Sequence, residues 1–170
     1  MPEQQTDWEE VFNTDDIIIN SVPDGIEIEY QNHYDECNYA KITPLALAQE
    51  FLHEFKERLS EMHELRVMVL FDLDNDMFQY LDINQCQKPE SLYDIRLPTL
   101  SIINSDFLDG LSYLCLNELN IYDLDKLPNS LRVLRISSDT EITTQSIIER
   151  CPNIKTIVVN KICLLNIIEN

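Results

Sequence analysis

Glycine is nearly missing from this chain: 170 residues hold only two, Gly25 and Gly110. A phosphate-cradling loop of the GxGxxG kind needs three, so it is excluded. Positive charge is scarce as well, with 12 basic residues against 31 acidic ones and a net charge of −19. Such a surface repels the phosphates of nucleic acids and of anionic membranes, and it leaves counterion release little to act on. The expected partner is another protein, one with a basic surface, and neither nucleic acid nor a membrane. No apolar run approaches the ~18 residues of a membrane span. Residues 1–10 carry neither the basic residue nor the apolar stretch of a secretion signal. The five cysteines, Cys37, Cys86, Cys115, Cys151 and Cys163, form no CxxC pair and no His-Cys cluster of zinc-site spacing. Scattered thiols in odd number and without such a signal point to a reducing compartment, cytoplasm or nucleus. His33, His53 and His63 have no Ser, Cys or carboxylate at triad spacing. No cofactor is expected.

Apolar residues make up 44% of the chain, enough for a sizeable core, and they recur. The pattern L-x-x-L-x-L, with aliphatic substitutions, reads at 97–102 (LPTLSI), 116–121 (LNELNI), 131–136 (LRVLRI) and 154–159 (IKTIVV). Upstream, 65–70 (LRVMVL) and 78–83 (FQYLDI) fit the same frame. Alternation along a strand sends the fourth and sixth positions to one face. Strands are therefore expected at 66–71, 79–83, 99–103, 118–122, 133–136 and 156–159, parallel and stacked in sequence order. Leu100/Ile102, Leu119/Ile121, Leu134/Ile136 and Ile157/Val159 should lie buried in columns. The ninth position reads Leu73, Cys86, Ser105, Leu124, Asp139 and Ile162.

The most specific stretch is 142–160, ITTQSIIERCPNIKTIVVN. Thr143 or Thr144 can cap a short helix, Ile147 and Ile148 can pack inward, and Cys151-Pro152-Asn153 ends the helix and turns into the next strand. This stretch resembles the cysteine-containing class of leucine-rich repeat found in F-box and related proteins. LPNSLRVLRI at 127–136 resembles the FNIP type of repeat. Together the resemblance spans about residues 65–166, and the region ahead of it shows no F-box. It implies an α/β fold: a short leucine-rich-repeat solenoid with a curved parallel sheet, over residues 65–170. It also implies a non-catalytic adaptor that binds a partner protein. In such repeats the third, fifth, seventh and eighth positions form a concave face. In this frame they include Tyr80, Asp82, Ile103, Glu118, Asn120, Tyr122, Asp123 and Arg135. Tyr122 and Ile103 among the acids Glu118 and Asp123 would anchor a Lys- or Arg-bearing surface.

A solenoid needs a cap over its first repeat, and residues 17–64 can supply a hairpin and a helix. Ile17-Ile18-Ile19 and the run from Ile26 to Tyr30 flank the turn signal Pro23-Asp24-Gly25. Thr43-Pro44 reads as a helix start with Thr43 as N-cap. Leu45, Ala48, Leu52, Phe55, Leu59 and Met62 then fall on one helical face. Residues 1–16 are acidic and expected to be mobile. Within them Trp8, Val11 and Phe12 lie at i, i+3 and i+4, to enter a partner's groove or to fold back on the cap. Asp15-Asp16-Ile17-Ile18-Ile19 resembles a SUMO-interacting motif, with an ordinary buried strand as the alternative.

One segment invites a catalytic reading. VMVLFDLDNDMF at 67–78 resembles motif I of the haloacid-dehalogenase phosphatases, which would make Asp72 the nucleophile, Asp74 the acid/base and magnesium the metal. Asp76 stands in the usual Thr/Val slot, and no later segment matches that family's other motifs. As an EF-hand opening it fails too, with Met77 in place of the turn glycine and Ile83 in place of the bidentate Glu. Solvated loop aspartates without a metal are expected.

Overall fold

A computed structural model describes residues 8–32 and 37–167; His33 and residues 1–7 lie outside the described residues. The fold is mixed α/β and divides into two compact units, residues 1–68 with 72–91, and residues 69–71 with 92–170.

In the first unit, β1 (Asp16–Val22) and β2 (Gly25–Gln31) form the expected antiparallel hairpin, with Val22 opposite Gly25 and Pro23-Asp24 as its turn. Gly25 has to be glycine, because a Cβ there would run into the Ile42 carbonyl. That carbonyl belongs to β3 (Cys37–Ile42), a strand that was not expected and that pairs antiparallel with β2. Its signal is weak because only Ala40 and Ile42 are buried. Ile17, Ile19, Ile26 and Ile28 are fully buried. The Asp15-to-Ile19 segment is thus an ordinary core strand.

Helix α2 (Leu45–Arg58) buries Ala48, Phe51, Leu52 and Phe55. Two details depart from expectation. Pro44, not Thr43, occupies the N-cap and no side chain caps it; the Leu47 and Ala48 N–H groups donate to the Pro44 carbonyl instead. Leu45 is 43% exposed, and Phe51 completes the buried face in its place. Helix α1 (Trp8–Phe12) folds back on α2, the second of its two readings. Phe12 stacks on Phe51 at 5.6 Å and Trp8 meets Phe51 edge-on at 5.4 Å. Five residues are too few to hold a helix alone. Burial of Val11 and Phe12 holds it, and the Arg58 guanidinium adds to this, lying 4.1 Å from the centre of the Phe12 ring and donating to both Glu9 oxygens at 2.7 and 2.9 Å. The same contact holds the Glu9 carboxyl below its usual range.

The second unit is built on short strands: β5 (Asp94–Leu97), β6 (Tyr113–Leu116), β7 (Val133–Ile136) and β8 (Thr156–Val159), parallel in register. β9 (Ile162–Asn166) runs back antiparallel on β8. Its turn, Asn160-Lys161, has both residues at positive φ, 48° and 64°, the conformation of a type I′ hairpin. The hydrogen-bonded strand order within this unit is β5-β6-β7-β8-β9, and the short strand β4 (Val67–Val69) precedes them in the chain. Ile95/Leu97, Leu114/Leu116, Leu134/Ile136 and Ile157/Val159 make two inward columns, all buried. Each such side chain leaving water contributes about 1.5–3 kcal/mol.

The repeat frame therefore needs correction. Strands 133–136 and 156–159 stand where expected, and 66–71 shrinks to Val67–Val69. The segment 79–83 is no strand: α3 (Asn75–Leu81) and a 3-10 turn (Ile83–Gln85) occupy it. The strands expected at 99–103 and 118–122 lie five residues earlier, as β5 and β6. LYDIRLPTLSI and LSYLCLNELNI each hold two overlapping copies of the pattern, sharing Leu97 and Leu116. The earlier copy forms the strand because Tyr, Ile and Cys suit a half-buried pleat. The later copies set Pro98 or Asn117 at the strand's entry and put Glu118 and Asn120 inside the second strand. Leu100 and Leu119 are buried all the same, but Ile121, which the later frame would bury, is 60% exposed. Strand motifs thus start at 65, 92, 111, 131 and 154.

The corrected frame makes a sharp prediction. Leu114→Ala should cost about 2–5 kcal/mol, as for other buried Leu truncations. Its outward neighbour Tyr113→Ala should cost less than about 1 kcal/mol. Urea melts of the two variants would refute the frame if the order were reversed.

Candidate functional site

Strand alternation leaves one row on either side of the buried columns. The third motif position aligns Asp94, Tyr113, Val133 and Thr156, and the fifth aligns Arg96, Cys115, Arg135 and Val158. Tyr93, just before β5, packs edge-on against Tyr113 at 6.1 Å. Both tyrosines stay exposed, at 40% and 43%. Asp94 is buried and reaches the Arg96 guanidinium at 3.5 Å. Arg135 is exposed and has no carboxylate within 4.0 Å among the described residues.

The four strand motifs that carry this face reverse the charge of the chain. Motifs 92–97, 111–116, 131–136 and 154–159 hold four basic residues, Arg96, Arg132, Arg135 and Lys155, and a single acid, Asp94. Four of 12 bases and one of 31 acids fall there, a local balance of +3 within a chain of −19.

Of the site residues expected from sequence, only Arg135 lies on this face. Ile103 is buried at 1% exposure, in the strand-exit turn after β5. Glu118 and Asn120 sit in the exit from β6. Tyr122 follows in a 3-10 turn (Ile121–Lys126) and is 90% exposed, whereas Asp123 is buried and paired with Lys126 at 3.3 Å. Tyr80 lies on α3 and lines an open cleft of about 330 Å³ within the first unit, beside Leu45, Asp74 and Met77. Asp82 ends α3 in the left-handed conformation, φ 43°, and its N–H bonds the Phe78 carbonyl. Trp8 and Phe12 belong to the aromatic cluster on α2. The frame error accounts for the misses: Tyr93, Arg96, Tyr113 and Cys115 fall in the copies of the pattern that start at 92 and 111.

The stretch 142–160 behaves largely as its residues imply, except that Ile148 is only half-buried. Thr143 caps α5 (Thr144–Arg150) by accepting from the Ser146 N–H at 3.1 Å, Ile147 is buried, and buried Cys151 closes the helix. Neighbouring connections are stitched together: Asn153 Nδ2 donates to the Asn129 carbonyl, Ser130 Oγ to Leu111, and Thr140 Oγ1 to Leu119.

Asp72 is exposed, and Asp74 is spent as the N-cap of α3, its Oδ1 accepting from the Met77 N–H at 2.9 Å. Among the described residues, no group of three His, Cys, Asp or Glu is placed to hold a metal ion, and no helix is long and apolar enough to cross a membrane.

All five thiols are free. Burial pushes Cys86 and Cys151 up to about 11, and burial also raises Cys115, outweighing the pull of Arg96 and Arg135 on either side. A raised thiol holds little thiolate near neutrality and reacts slowly. With a maleimide at about pH 8, exposed Cys37 and Cys163 should label first, and Cys86, Cys115 and Cys151 only as the pH climbs. Rapid labelling of Cys115 near neutrality would mean that the arginines, not burial, govern it. No protein-family model, curated protein or solved structure matches this chain.

Proposed function

We propose that this chain is a non-catalytic protein-interaction module of the leucine-rich-repeat type, a short solenoid that binds a partner protein through the outward face of β5–β8. The observation that carries the reading is the register of those four strands. Their Leu and Ile columns are sealed on one side, while the opposite side keeps Tyr93, Tyr113 and Arg135 in reach of a ligand. Rigid aromatics and arginine are the residue types that dominate binding hot spots. The corrected starts, 19, 20 and 23 residues apart from 92 onward, and the Thr143-capped helix before β8 support the repeat assignment. The five free thiols fit a reducing compartment, cytoplasm or nucleus.

Away from this face the net charge favours contact with a basic protein surface, and two places suit it. Residues 1–62 hold fifteen acids against three bases, and Glu118 neighbours the almost fully exposed Tyr122 in sequence. The competing phosphatase reading would draw on an Asp74 whose Oδ1 already caps α3.

Two measurements separate these classes. Capture of a partner from source cells should fall on Tyr113→Ala with an unchanged circular dichroism spectrum. Magnesium-dependent hydrolysis of a generic phosphoester should be absent, and turnover that disappears in Asp72→Asn would sink the binding-module reading.

A further inference from the structure

We propose that the outward face of β5–β8 takes an extended, Asp/Glu-rich segment of a partner protein, its carboxylates held by Arg96 and Arg135. The proposal rests on the reading of this face as the docking surface and adds the chemistry of what docks.

Three observations lead to it. In a chain of −19 the two outward rows carry Arg96 and Arg135 against one acid, Asp94, and the strand motifs add Arg132 and Lys155 just ahead of β7 and β8. Arg96 and Arg135 occupy the same row on strands two apart, with Cys115 between them. Adjacent strands lie ~4.8 Å apart, which sets the two Cα atoms roughly 10 Å apart. Carboxylates on one face of an extended segment recur at every second residue, roughly 7 Å apart, a spacing that the long side chains of two arginines can meet. The only acid in these motifs, Asp94, is buried and faces Arg96, so it offers a ligand little negative surface, while Arg135 stays open. Tyr93 and Tyr113 flank the row with apolar ring area that a bare salt bridge lacks.

The net charge decides what kind of anion fits. Repulsion between exposed charges is largely screened beyond about 10 Å at ordinary ionic strength, so a short acidic segment feels the arginines more than the rest of the surface. A long polyanion such as nucleic acid would carry its phosphates into the acidic remainder of the chain.

The test uses three fluorescein-labelled probes on the full chain: a short peptide alternating Glu and Thr, its Lys counterpart, and a short oligo(dT). The Glu peptide should bind and weaken with added salt. It should lose about tenfold in affinity in Arg135→Glu and in Arg96→Glu, the effect of losing one charge-assisted contact. Arg96→Gln and Arg135→Gln should weaken it too without setting a new acid beside Asp94, and Lys41→Glu on β3 should leave it unchanged. Undiminished binding of the Glu peptide in all four arginine variants overturns the proposal, as does tighter binding of oligo(dT). If the Lys peptide binds instead and is lost in Tyr113→Ala, the face docks a partner but this chemistry is wrong. If no probe responds to Tyr113→Ala or to any arginine variant, the docking reading falls with it.

Discussion

A four-residue strand with two aliphatic side chains on one face cannot hide them by itself. Everything in the second unit follows from that constraint. Ile95/Leu97, Leu114/Leu116, Leu134/Ile136 and Ile157/Val159 leave water only because each strand lies in register on the next. Parallel stacking then obliges the chain to travel back after every strand. The return paths are made of 3-10 turns and short helices, which carry their own buried residues: Leu100, Leu108, Leu119, Leu127 and Ile147. The last parallel strand is not left as the edge, since β9 doubles back on β8 through Asn160-Lys161.

The same alternation that seals one face sorts charge on the other. Solvated acids crowd the connections and the first unit, and the strand motifs retain arginine, tyrosine and a single buried Asp. Net charge is therefore a poor guide to the chemistry of this surface: the chain is acidic as a whole, and the face proposed to bind is not. In the first unit one cation has a structural duty. Arg58 ties α1 to α2 through Phe12 and Glu9, so an acidic-aromatic segment that could serve a partner is occupied internally.

Much of this architecture was legible in the sequence. The Pro23-Asp24-Gly25 turn, the amphipathic stretch from Ala48 to Met62 and the capped helix before Cys151-Pro152-Asn153 are local signals with local causes, and all three appear. The strand frame was harder, because Leu97 and Leu116 each end one copy of the repeat pattern and begin another. Periodicity alone weighs both copies equally; propensity at Pro98 and Asn117 separates them. The error spread to the site, since a five-residue slip carries the surface residues expected on the second of those two strands into its exit, as happened to Glu118, Asn120 and Tyr122. β3 and β9 were not foreseen because they offer little pattern: β3 buries two side chains, and β9 is exposed along most of its length.

The register of the four parallel strands is the central claim, and nuclear Overhauser contacts between backbone protons test it most directly. On an isotope-labelled chain, contacts should link the backbones around Arg96 and Cys115, Cys115 and Arg135, and Arg135 and Val158, the partners in register. Strand contacts between residues 99–103 and 118–122 in their place would restore the later frame and contradict both the columns and the face.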